Sequence, residues 1–151
     1  MENSNLPHLI DGGLAVDDRG QLTFVNGFDF AGVKRFYSVE NFSTETIRAW
    51  HGHLKEAKYV LVISGSAIVA TVMMTDTANP DRNQPINRYV LSAKKPAVLY
   101  IPAGYANGFR SLEPNTKVMY FSTSTLEESQ GDDYRFPANY FGETVWQVEH
   151  R

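Results

Sequence analysis

Two histidines, His51 and His53, stand two residues apart at the head of a long apolar run, in RAWHGHLKEAKYVLVISG at 48–65. Imidazole is the side chain that ordinarily titrates near neutral pH, at about 6.5, so such a pair can abstract and return protons. It can also ligate a metal through its neutral form, or simply sit on an exposed strand. In an extended chain, side chains at i and i+2 leave the same face, so His51 and His53 are expected to point together. Arg48 stands three before His51 and would face the other way on an ideal strand; a local bulge would bring it round.

The elements that must hold these side chains read as strands. QLTFVNG, VKRFYSVE, KYVLVIS, SAIVATVMM, NRYVLSA, AVLYIPA and KVMYFSTST are short and rich in β-branched and aromatic residues. Turn formers separate them: Gly12-Gly13, Asn26-Gly27, Ser64-Gly65, the loop at 79–85, Lys95-Pro96 and Glu113-Pro114-Asn115. Helical periodicity is nearly absent, and 124–134 is the expected place for a short helix or an irregular tail. The pattern predicts an all-β fold, an antiparallel sandwich or barrel, as a single domain over 1–151.

Composition narrows the function. The 151 residues are 42% hydrophobic and 13% aromatic, which is a folded globule of ordinary domain size. Net charge is -3, and Lys and Arg are scattered, so no nucleic-acid footprint is expected. There is no cysteine, hence no disulfide and no thiol chemistry. The N-terminus lacks the positive start and apolar stretch of a signal peptide. The run at 59–74 is short for a membrane span and is broken by Ser64, Gly65 and Ser66. A cytoplasmic protein without a membrane partner is expected.

HGHLKEAKYVLVISGSAIV, followed by LYIPAGYANGF, resembles the two sequence motifs of the cupin superfamily, small jelly-roll β-barrels. In metal-binding cupins the first motif supplies two His and a Glu seven residues before a turn glycine. The second supplies a His three residues after the glycine of a Pro-x-Gly turn. Here His51, His53 and Gly65 match, but Lys58 stands in the Glu position and Asn107 in that of the third His. A cation there repels a metal, and Glu56 is off the spacing, so neither metal nor other cofactor is expected.

What remains resembles the cupins that rearrange nucleotide-linked 4-keto-6-deoxy sugars. RAWH, KYVLVISG and YIPAGYANGF are similar to motifs of the dTDP-4-dehydrorhamnose 3,5-epimerases, and Tyr120 stands thirteen residues after Asn107, where that family has a tyrosine. RAWHGH, DDRGQLTF and VKRFYSV are similar to the sugar 3,4-ketoisomerases, which brings in Tyr37. The resemblance implies a nucleotide-linked deoxysugar as substrate and a homodimer. A sugar-binding relative without turnover is the third possibility.

Either enzymatic chemistry starts by removing a C–H proton next to the C4 ketone while charge builds on the ketone oxygen. His51 is the candidate base, Lys58 or His53 the group at the oxygen, and Tyr120 the acid on the opposite face. In a ketoisomerase His51 and His53 would relay the proton together. Arg48, Arg35 and Lys58 are candidates for the diphosphate, with Arg110 weaker, and Tyr37 or Phe42 could stack on the base. Activity is expected to rise through about pH 6 to 7 as the base loses its proton. Asn107 removes a second imidazole. The epimerases also pair their catalytic His with a late aspartate, near whose position this chain has Ala138 or Asn139; Asp132 or Asp133 could replace it only on a different backbone path. Ala49 in place of Gly, followed by the bulky Trp50, would narrow the pocket or alter how the strand bends.

Overall fold

A computed structural model describes residues 5–151. In chain order the strands are β1 (His8–Asp11), β2 (Gly13–Asp17), β3 (Gly20–Phe24), β4 (Arg35–Val39), β5 (Ile47–Gly52) and β6 (Lys58–Ser64). They continue with β7 (Ser66–Met73), β8 (Asn87–Ser92), β9 (Ala97–Ile101), β10 (Tyr105–Ser111) and β11 (Lys117–Ser122). A short helix α1 (Leu126–Gln130) and β12 (Tyr134–Arg135) complete them. Two five-stranded antiparallel sheets form, in the orders β1-β9-β6-β11-β4 and β12-β5-β10-β7-β8, with β2-β3 as a separate hairpin.

The two sheets share a core. Val60, Val62, Leu99 and Val118 from the first meet Ala67, Val69 and Phe109 from the second. The second sheet is covered on its other face as well: Trp50, Ile68, Ala70 and Val72 pack against Phe136, Phe141 and Trp146 of the C-terminal segment. That is why β7 is buried nearly end to end and shows no apolar–polar alternation, whereas β6 buries alternate residues. Gly65 turns β6 into β7 at a φ of +75°, and a Cβ there would lie 2.2 Å from Thr116 Oγ1, so only glycine fits the turn.

All seven strand segments read from the sequence are strands, and the helix falls within 124–134. Its capping box explains its start: the Thr125 side chain accepts from Glu128 N–H, and the Glu128 carboxylate accepts from Thr125 N–H. The segments without a strand signal include β5 and β10, IRAWHG and YANGFRS, whose glycines and polar residues serve the cavity described next.

Candidate functional site

A cavity of about 410 Å³ opens between the two sheets. Arg48, His51 and Asn107 line it from β5 and β10; Arg35, Tyr37, Lys58 and Tyr120 line it from β4, β6 and β11. His53 enters just beyond β5, and Gln130, Asp133 and Arg135 line it from α1 and the chain that follows. The eight residues singled out from the sequence therefore share one cavity, with His51 and Tyr120 on opposing sheets.

A bulge sets the cavity side of β5. Asn107 pairs with His51 and Phe109 with Arg48, so Ala49 and Trp50 together oppose Gly108. The additional residue returns Arg48 to the face that carries His51. A Cβ on Gly108 would lie 2.4 Å from that of Ala49, so the bulge needs glycine opposite it. Arg48 Nε donates to Asn41 Oδ1 at 2.6 Å, and Asn107 Nδ2 donates to the His51 carbonyl at 3.3 Å. Trp50 does not narrow the cavity: it is fully buried in the second core, and its indole N–H donates to the Ala138 carbonyl. Trp146 donates to the same oxygen, so the stretch matched to the epimerase aspartate anchors two indoles instead.

Asp132 and His53 meet behind the cavity. The carboxylate of Asp132 accepts from the N–H groups of Leu54, Lys55 and Glu56 at 2.8, 2.9 and 3.1 Å. Its backbone carbonyl accepts the Nδ1 hydrogen of His53, which places the lone pair of the neutral ring on Nε2, a buried atom without a hydrogen-bond partner. Glu56 Oε1 stands 3.6 Å from the same Nδ1, and Ser122 Oγ donates to Glu56 Oε2 at 2.7 Å. Glu56 and Ser122 join the site by contacts that their spacing in the chain does not reveal.

Burial sets the protonation states. His51 is pushed down to about 4, first by desolvation and then by Arg135 and Lys58. The expected rise of activity through pH 6 to 7 is thereby moved to more acid pH. His53 is lowered too, by burial and by Lys58, so both imidazoles are neutral at pH 7. Burial lowers Lys58, against an opposing pull from Glu56. Its ammonium stands 5.6 Å from the Tyr120 ring centre and 6.0 Å from that of Tyr37, within cation–π range. Burial raises Tyr120 strongly and Tyr37 to about 12, which keeps both phenols protonated. The Arg35 guanidinium stands over the Tyr37 ring, 4.8 Å from its centre.

Two weaker candidates lie elsewhere. Arg110 donates to the carbonyls of Thr44 and Trp146, and Phe42 is fully exposed beside a different depression. Among the described residues no three His, Asp or Glu side chains come together as metal ligands.

The fold is a cupin-type jelly roll whose cavity is lined from both sheets, by His51 and Asn107 on one and Lys58 and Tyr120 on the other. The chain belongs to the dTDP-4-dehydrorhamnose 3,5-epimerase family, whose model matches residues 17–139. It is 28% identical over 109 residues to the spore coat polysaccharide biosynthesis protein SpsL of Bacillus subtilis, covering 70% of each chain. A dTDP-4-dehydrorhamnose 3,5-epimerase of Bacillus anthracis, with TDP and PPi bound, superposes with a TM-score of 0.74 at 25% identity over 92% of this chain and 83% of that one. The sugar 3,4-ketoisomerase QdtA of Thermoanaerobacterium thermosaccharolyticum, in complex with TDP, has the same fold: TM-score 0.65, 19% identity, 89% of this chain and 91% of that one.

Proposed function

We propose that this protein, working as one domain and without a metal, inverts a carbon beside the C4 ketone of a nucleotide-linked 4-keto-6-deoxy sugar. The observation that carries the proposal is the placement of a neutral His51 and a protonated Tyr120 on opposing sheets of one cavity, with Lys58 beside Tyr120. His51 takes the proton from C3 or C5. Electron density moves onto the ketone oxygen as an enolate, which the Lys58 ammonium or a second donor balances. Tyr120 returns a proton to the other face of the same carbon, which inverts it, and solvent restores the two residues. Arg48, Arg35 and Arg135 give the diphosphate cationic partners, and Asn107 and the Tyr37 hydroxyl supply polar contacts for the sugar.

A 3,4-ketoisomerase is the second reading, favoured by the unpartnered Nε2 of His53 beside the same cavity. There the C3 proton would pass to O4, giving an enediol, and the O3 proton would pass to C4, leaving the ketone at C3 and a hydroxyl at C4.

The working form proposed is a cytoplasmic homodimer in polysaccharide biosynthesis. The outer face of the first sheet exposes Phe36 and Ile63, with the exposed Phe30 packed against Phe121 on it, apolar surface suited to a second copy, which light scattering would detect as a doubled mass.

The deciding experiment is proton NMR of dTDP-4-keto-6-deoxyglucose with the protein in deuterated water. Loss of the H3 signal, alone or with H5, while the ketone stays at C4 is the expected result. A ketone at C3 selects the ketoisomerase. Saturable binding without exchange would replace both with a sugar-nucleotide-binding role.

A further inference from the structure

The matched position of the epimerase aspartate has no carboxylate, yet a carboxylate does stand against an imidazole of this cavity. Glu56 is 2% exposed, and its two oxygens are differently engaged: Oε2 accepts from Ser122, and Oε1 has no hydrogen bond and lies 3.6 Å from His53 Nδ1. Its backbone is held by the Asp132 carboxylate, and Ser122 pairs with Lys58 across β11 and β6. The carboxylate is thus anchored to the residue directly opposite the cavity's buried ammonium, on the neighbouring strand. Lys58 has no ion pair of its own among the described residues.

From these contacts we infer that Glu56 is a positioning residue: its buried carboxylate backs His53 and keeps the Lys58 ammonium charged, so that a cation is ready when the enolate forms. An ammonium buried without a counter-charge sheds its proton, and a neutral amine cannot balance an enolate. Lys58 is also faced by Arg35 and Arg135, which push its proton off, and by Asp133, which retains it; His53 lies close, and the Tyr37 and Tyr120 rings stand over it. With two guanidinium groups opposed, Glu56 is the larger of the two retaining charges. Glu56 touches no reacting atom in this scheme; it acts through its neighbours.

The inference rests on reading the cavity as the proton-transfer site, but its first test needs no substrate. Side-chain NMR of Lys58 at Cε and Nζ is followed against pH in the wild type and in Glu56→Gln, which keeps an acceptor for Ser122. The Lys58 midpoint is expected to fall by about one pH unit or more in the variant; an unchanged midpoint overturns the inference. If the variant does not fold, the wild type decides: the Glu56 Cδ resonance is expected to step as Lys58 loses its proton, and a flat Cδ through that range overturns it. With dTDP-4-keto-6-deoxyglucose, Glu56→Gln should lower kcat by about tenfold with little change in KM, and move the alkaline limb of the profile by the same amount as the Lys58 midpoint. Glu56→Asp should recover part of both. Failure of the wild type to turn over this sugar would count against the proposed function, while the Lys58 titration still decides the part of Glu56.

Discussion

Tyr37 and Tyr120 lie opposite each other on β4 and β11 and stack, ring centres 5.2 Å apart and planes 12° from parallel. The pair gives Tyr120 a fixed orientation without a hydrogen bond from its hydroxyl to any described residue, and burial keeps that hydroxyl protonated. Tyr120→Phe preserves the stack and removes only the acid. Deuterium should still enter the substrate in heavy water, since the base can take and return the proton on its own face, while inverted product falls about 100-fold or more. Proton NMR separates the two; equal loss of exchange and inversion would deny Tyr120 the role of opposite-face acid.

The low value of His51, about 4, fixes the sign of the acid limb. A base works deprotonated, so kcat/KM should be level at neutral pH and fall only as the pH approaches the folded value. The alkaline limb should likewise come earlier than for an ordinary lysine, because burial lowers Lys58. Stability follows the same linkage. The unfolded chain protonates His51 and His53 near their ordinary values, about 6.5, and the folded chain only below them. Stability is therefore undiminished above about pH 6.5 and falls as pH drops from there through the folded values. Profiles of kcat/KM and urea midpoints across pH 4 to 9 check both; an acid limb near pH 6.5 that persists in every His51 variant would mean that His51 is not the base, and one that belongs to His51 would mean that burial does not lower it.

How much of this was legible in the chain depends on how each contact is made. His51, Arg48, Lys58, Asn107 and Tyr120 stand at spacings that strand geometry and the family motifs both use, so their convergence could be read. Arg48 needed a bulge, and two residues opposite one glycine supply it. The support behind His53 could not be read, because it comes from a backbone carbonyl 79 residues away, and any residue type has a carbonyl. Of the two effects expected of Ala49 and Trp50, the narrowed pocket fails for a related reason. The bulge that turns Arg48 inward also turns the indole outward, to a second core that only the C-terminal segment completes. β5 and β10 lacked a strand signal because a cavity needs small and polar residues where a core strand has branched apolar ones.

Asp132 ties the turn after β5 to the chain after α1. Asp132→Ala leaves three N–H groups without their acceptor and loosens the carbonyl that holds His53. The expected cost is about 2–3 kcal/mol in urea unfolding, because the lost bonds go to a charged group and the donors are partly buried. Nitrogen NMR of His53 should then show both tautomers rather than the Nδ1–H form alone. A variant with unchanged stability and a single tautomer would show that the turn holds itself.

Gly108 offers the sharpest separation of packing from chemistry, since it touches nothing that reacts. A methyl group there would lie 2.4 Å from the Ala49 Cβ and 2.7 Å from the Arg48 carbonyl, contacts that force β5 away from β10. β5 cannot yield on its far side, where Trp50 is packed against Phe141 and Trp146 and held by the Ala138 carbonyl. The displacement must therefore appear in the bulge, and with it in Arg48 and His51. Gly108→Ala is expected to cost about 2 kcal/mol, in the range of an overpacked core, and to lower kcat by about 10-fold or more through a misplaced base. Ala49→Gly in the same chain removes the nearest clash and should restore part of both. Recovery of stability without recovery of kcat would mean that the Arg48 carbonyl contact alone displaces His51; recovery of neither would mean that the bulge does not set the position of the base.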